Sequence, residues 1–111
     1  MLPAPHRMRL REDFARTIRR GRRAGRPLLA VHLLLTEADP AAEALPPARV
    51  GLVVSRAVGP AVTRTRVKRR LRHVIADRLS SLPPGSLLVV RANPAAAVAT
   101  SVELGSDLDR C

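Results

Sequence analysis

Six cations fall within nine residues, Arg64, Arg66, Lys68, Arg69, Arg70 and Arg72, inside the stretch Ala61 to His73. Guanidinium groups grip phosphate through planar, two-pronged hydrogen bonds, so this clustering points to a polyanionic ligand. On a helix these cations face one another at i, i+4 and repel by roughly 0.2–0.5 kcal/mol per pair, a cost that a bound anion offsets. A merely solvated face would intersperse glutamates, whereas the first acid after Arg56 is Asp77. Phe14, the only aromatic residue, is the second candidate. Its spacing from Leu10 and Ile18 reads as core packing; the alternative is stacking on an unpaired base, worth about 1–3 kcal/mol. No paired acids, Ser-His-Asp order or glycine-rich phosphate loop can be assembled, so no catalytic residue is expected. His6, His32 and His73 are scattered and none has a carboxylate at ligand spacing, so no metal site and no protein-bound cofactor are expected either.

The charge is unevenly divided. Arg7 to Arg26 holds nine arginines against Glu12 and Asp13, giving +7, and Arg56 to Arg78 holds eight cations against Asp77, again +7. Pro27 to Ser55 carries −2 and Leu79 to Cys111 carries −1, for a total of +11. Two separated basic blocks suit a polyanion better than a general need for solubility.

These residues must be positioned by a small fold, since 111 residues make one domain with one modest core and exclude a multidomain enzyme. Apolar residues make up 46 %, nearly all aliphatic, so disorder throughout is excluded and the core is aliphatic. The longest apolar run, Leu28 to Leu35, is too short to span a membrane. Met1 to Arg23 lacks an apolar h-region, and the lone Cys111 can close no internal disulfide, so a cytoplasmic location is expected.

Glu12 and Asp13 open a helix over Arg11 to Arg20, with Leu10, Phe14 and Ile18 as its apolar stripe, and Gly21 and Gly25 end it. Leu28–Thr36 reads as a buried strand, Glu37 to Ala48 as a flexible proline-rich acidic loop, and Arg49–Ser55 as a second strand in which Gly51 marks a close neighbour. After Gly59-Pro60 the strongest helix runs from Ala61 to Leu79. At about 100° per residue, Leu71, Val74 and Ile75 fall within about 40° before and 80° after Val67, a buried stripe, while Lys68, Arg72, Thr65 and Arg69 occupy the next arc. Pro83-Pro84-Gly85 stops the chain before a strand over Ser86–Arg91, and Asn93-Pro94 precedes a helix over Ala95–Leu104 with a frayed tail at 102–111. The expected fold is α+β: helix, two or three strands, helix, strand, helix, forming a single-sheet sandwich in one domain, 1–111.

The segment Arg64, Arg66, Lys68, Arg69 and Arg72 on a helix follows the strand Val50 to Arg56 and Gly59-x-Ala61-Val62; upstream is Arg9-Leu10-Arg11-Glu12-Asp13-Phe14, and downstream are Leu87–Arg91 and Asn93-Pro94-Ala95. Together these resemble the protein subunit of bacterial ribonuclease P over about residues 7 to 95. The chain departs from the family pattern at Thr65 and Pro60, where the family usually has Asn; a hydroxyl offers less than a two-sided amide.

The resemblance implies a ribonucleoprotein endonuclease whose RNA subunit, with Mg2+ at its own active site, removes the 5′ leader of precursor tRNA. The protein is then an accessory subunit, one copy per RNA, with no membrane partner. Arg64, Thr65, Arg66, Lys68, Arg69 and Arg72 would contact the catalytic RNA. A cleft between the first helix and the sheet would take the single-stranded leader, with Phe14 as wall and Ile18, Ser55 and Arg56 nearby. The resemblance also implies a left-handed βαβ crossover, where general rules favour a right-handed one. A small basic ribosomal-type RNA-binding protein is the alternative.

Overall fold

A computed structural model describes residues 6–8, 10–35 and 47–110. Helix α1 (Arg11–Arg20) leads into strand β1 (Arg22–Gly25), followed by β2 (Leu29–Leu34), β3 (Arg49–Val53), α2 (Ala61–Ala76), β4 (Leu87–Ala92) and α3 (Ser101–Asp109). The four strands form one sheet in the order β1-β2-β4-β3. β1 and β4 both pair antiparallel with β2, whereas β3 runs parallel to β4, so β3-α2-β4 is the βαβ unit of the α+β fold.

Strand alternation divides the sheet into two faces. On one, Leu29 and Val31 of β2, Val50 of β3 and Leu88, Val90 and Ala92 of β4 meet Val67, Leu71 and Ile75 of α2 and Leu104 of α3. The stripe expected on α2 is therefore the buried one, completed by Val74. On the other face Met8, Leu87 and Val89 are buried, with Phe14, Leu34 and Val53 packed against them. α1 lies across β2 and β4 on this side.

Three expectations need correction. Arg22–Gly25, read only as the end of α1, is an edge strand. Its residues have no strand character of their own; the register Arg22↔Leu33 to Gly25↔Ala30 places them. The third helix is not Ala95–Leu104: Pro94–Val98 is a 3-10 turn, and α3 begins at Ser101 because Thr100 and Glu103 close a capping box, each side chain bonded to the other's backbone N–H. Residues 102–109, expected as a frayed tail, thus lie within or continue this helix. The stripe Leu10-Phe14-Ile18 is not the buried side of α1 either, since Leu10 is 60 % and Ile18 46 % exposed. The helix buries Asp13 and Thr17 instead. Asp13 accepts from Arg16 and Arg49, and the Thr17 hydroxyl donates to the Asp13 carbonyl, so these polar groups enter the interface already paired.

The remaining elements differ from expectation by a few residues at their ends. α2 stops at Ala76 and gives way to a 3-10 turn over Leu79–Ser81. Of the expected acidic loop, residues 37–46 lie outside the described residues, as do Thr36 and Cys111.

Candidate nucleic-acid interface

α2 starts where the chain demands it. Gly59 has a positive φ of 153°, which favours glycine, and Pro60 takes the N-cap position, where its missing N–H costs nothing. The cations then emerge on different sides of the helix. Thr65, Arg66, Arg69 and Arg72 are exposed, and Lys68 is half-buried between them and the core. Arg64 donates Nε to the Gly59 carbonyl at 3.2 Å, folding back on the turn that precedes the helix. Arg70, which the RNA-contact reading omits, donates to the Ala99 carbonyl at 2.7 Å and ties α2 to the approach of α3. Arg66 reaches the Ala97 carbonyl at 3.4 Å, a long contact at an exposed site. Lys68, Arg69 and Arg72 have no hydrogen-bonding or ion-pair partner among the described residues, so three of the expected phosphate-contacting cations stand ready for an external anion.

The second surface lies on the opposite face of the sheet. Phe14 leans over Gly51 so closely that a Cβ there would run into the ring, the close approach that Gly51 leads one to expect. Thr17 marks the buried line of α1; Phe14 stands about 60° and Ile18 about 100° to one side of it, so both flank the sheet surface as a half-open apolar wall. From Gly51 a cross-strand row runs through Val89 and His32 to Arg23, and Arg91 points from the same face one pleat further along β4. Ser55 joins Arg23, His32 and Arg91 around a pocket of about 180 Å³. Arg56 is exposed in the turn beside it, and its carbonyl accepts the Gly59 N–H. Phe14 and Ile18 do not line this pocket, so the structure brings Ser55 and Arg56 together and leaves Phe14 at the far side of the open face.

Arg23, His32 and Arg91 were not legible as site residues. His32 is buried in the middle of the apolar run, and its position beside two arginines depends on a strand, β1, that carries no sequence signal. Burial, with the charges of Arg23 and Arg91, pushes the His32 imidazole below its ordinary pKa, so it is neutral at pH 7. A larger cavity of about 570 Å³ opens on the α2 face, with a floor that includes Val31, Leu33, Ile75, Leu88 and Leu108 and a rim with Arg22, Arg78 and Asp109. Its apolar floor and the Arg78–Asp109 ion pair distinguish it from the two basic surfaces. Among the described residues no three His, Cys, Asp or Glu side chains are grouped to hold a metal ion, and no helix is long and apolar enough to cross a membrane.

A family model described as Ribonuclease P matches residues 2–111. The chain is 62 % identical over 111 residues to the Ribonuclease P protein component of Streptomyces bikiniensis, covering 98 % of this chain and 90 % of that one. It is 59 % identical over 111 residues to that of a Nocardioides species, covering 100 % and 92 %. The solved RNase P protein of Staphylococcus aureus superposes with a TM-score of 0.74 at 22 % identity, over 95 % of this chain and 90 % of that one. The RNase P protein of Thermotoga maritima in complex with 1-(4-fluorophenyl)-2-thiourea gives 0.76 at 23 % identity, over 94 % of each chain. At such identity these two structures speak for the fold alone. The full-length family match and the close relatives speak for the family, and they set aside the ribosomal-type alternative. The chain belongs to the ribonuclease P protein family.

Proposed function

We propose that this chain is the accessory protein subunit of ribonuclease P, binding the catalytic RNA through the outer arc of α2 and the 5′ leader of precursor tRNA across the sheet face beside α1. The observation that carries this reading is the presence of two cationic surfaces on opposite faces of one sheet. One is a helix on which Lys68, Arg69 and Arg72 have no partner among the described residues; the other is an open sheet surface with an aromatic wall at Phe14 and cations at Arg23, Arg56 and Arg91. Because the two lie on opposite faces, one copy can hold two RNA ligands at once. Arg64, Thr65 and Arg66 extend the first surface along α2; Ile18 and Ser55 belong to the second.

Family membership implies Mg2+ at the reaction centre. In this reading the ion belongs with the RNA, and no step of the chemistry is assigned to the protein. The protein supplies binding energy and placement, in the cytoplasm, as one copy per RNA. Phe14→Leu tests the leader surface because it keeps most of the packing volume and removes the ring. With the RNA subunit present, affinity for precursor tRNA should fall by about 1–3 kcal/mol while mature tRNA binding stays nearly unchanged. Equal losses for both tRNAs would reduce Phe14 to a packing residue.

A further inference from the structure

The pocket beside Ser55 combines features that the packing of the protein does not explain. Arg23 on β1 and Arg91 on β4 flank His32 on β2, and neither arginine has a hydrogen-bond or ion-pair partner among the described residues. His32 is 8 % exposed, and its Nδ1 is buried without a hydrogen-bond partner. A buried polar atom left unpaired is costly, and two unneutralised guanidiniums on one small pocket add repulsion. The fold tolerates both at a single place.

We infer that Arg23, His32, Arg91 and the Ser55 hydroxyl form a phosphate notch that seats one backbone phosphate of the leader strand, and that seating it loads a proton onto His32. This rests on the leader reading above and specifies one contact within it. The pocket has the room of about six waters and, apart from alanine and proline side chains, a polar lining, so it admits a phosphate but offers no ring on which a base would stack. Stacking falls to Phe14, whose seat over Gly51 is two strands away from His32, about 10 Å along the same cross-strand row.

The proton linkage follows from the charges around the ring. Arg23 from β1 and Arg91 from β4 are the charged groups that bear on His32. From α1, packed on the same face of β2, Asp13 is already held by Arg16 and Arg49, and Glu12 is exposed; α3 packs on the opposite face of β2, and its Asp107 accepts the Leu28 N–H. Among the described residues, therefore, no carboxylate stabilises the imidazolium in the free protein. A phosphate between the two arginines cancels their field and supplies an acceptor, so the charged ring becomes favourable only when the strand is bound. Binding then takes up a proton, and precursor affinity rises as the pH falls, by up to about tenfold per pH unit for a single linked proton.

The test is the affinity of the reconstituted RNA–protein complex for precursor and mature tRNA between pH 6 and 8, with wild-type protein and with His32→Gln, whose fold is checked by circular dichroism. Mature tRNA and the His32 variant control for the other two histidines, His73, exposed on α2, and His6, bonded through Nδ1 to the Ala48 carbonyl. We expect the precursor-to-mature affinity ratio to rise several-fold from pH 7.5 to 6 with the wild type and to stay flat with His32→Gln. The same pH slope in both proteins overturns the notch while leaving a leader preference intact. Equal affinity for the two tRNAs at every pH overturns the leader reading, and the notch with it. Titration of the protein with inorganic phosphate alone, followed on the His32 ring by NMR, separates the two sources of phosphate. A ring shift without any pH-linked precursor preference assigns the pocket to free phosphate and overturns the leader contact.

Discussion

Gly51→Ala tests the placement of Phe14 with a change of sign. Gly51 is in a strand and is not among the positive-φ glycines, so an alanine meets no backbone strain there. Its Cβ would instead enter the space of the Phe14 ring and lie 3.2 Å from the Met8 sulfur. Met8 can yield a few tenths of an ångström, but the half-buried Phe14 ring occupies the Cβ position and must leave its seat. Overpacking of this kind costs about 1–3 kcal/mol, against which the stiffer unfolded chain of the alanine variant returns about 0.4–1 kcal/mol. The single variant should therefore lose stability and, with the ring displaced, most of its preference for precursor tRNA. In a Phe14→Ala background the clash is gone, and Gly51→Ala should be neutral or stabilising by about 0.4–1 kcal/mol. Urea denaturation of the four proteins of this cycle gives the coupling energy, expected at about 1–3 kcal/mol. If the two changes add within about 0.5 kcal/mol, Phe14 does not occupy the space above Gly51, and the aromatic wall is misplaced.

Neighbouring arginines on α2 should separate cleanly. Arg69→Ala, which loses no internal bond, should reduce the slope of log affinity against log salt for the RNA subunit by about 0.7–0.9 without changing stability, whereas Arg70→Ala should cost about 1–3 kcal/mol of stability through its lost bond to the Ala99 carbonyl. Thr65→Val should weaken RNA binding by about 0.5–1.5 kcal/mol and Thr65→Asn should not, as filter binding would show; equal binding by the valine variant would leave the motif to its cations alone. The Glu103 carboxyl is held below its ordinary pKa chiefly by the Thr100 backbone N–H, and that of Asp109 by its hydrogen bond from Arg78. A lowered folded pKa gives a contribution that is complete above the ordinary carboxylate range and lost as the pH falls through it, so amide protection in α3 should fade below about pH 4. Glu103→Gln should remove the Glu103 part of that dependence.

The α2 surface was legible because a helix imposes its own geometry. Once Val67, Leu71 and Val74 define the buried side, the outward position of Arg69 and Arg72 follows from 100° per residue. The partners of Arg66 and Arg70 were not legible, because they depend on where Ala97 and Ala99 return to the helix. α3 carried a usable signal in Thr100-x-x-Glu103, a capping box one turn ahead of an apolar residue, that the helix expected from Ala95 overlooked. α1 misled because apolar spacing was taken to face the core; its polar residues are paired internally, and its apolar ones wall an open surface. The notch was hidden more deeply, since a shift of one residue in the β1–β2 register would turn His32 and Arg23 to opposite faces.

Cleavage of precursor tRNA by the ribonuclease P RNA at low Mg2+, with and without this protein, tests the accessory role most directly. Wild-type protein should raise the cleavage rate, and a protein carrying Lys68→Glu, Arg69→Glu and Arg72→Glu, three positions without a partner among the described residues, should keep its fold and fail to do so. A cleavage rate unchanged by the wild-type protein, or raised equally by the charge-reversed one, would contradict the assignment of α2 as the surface that grips the catalytic RNA.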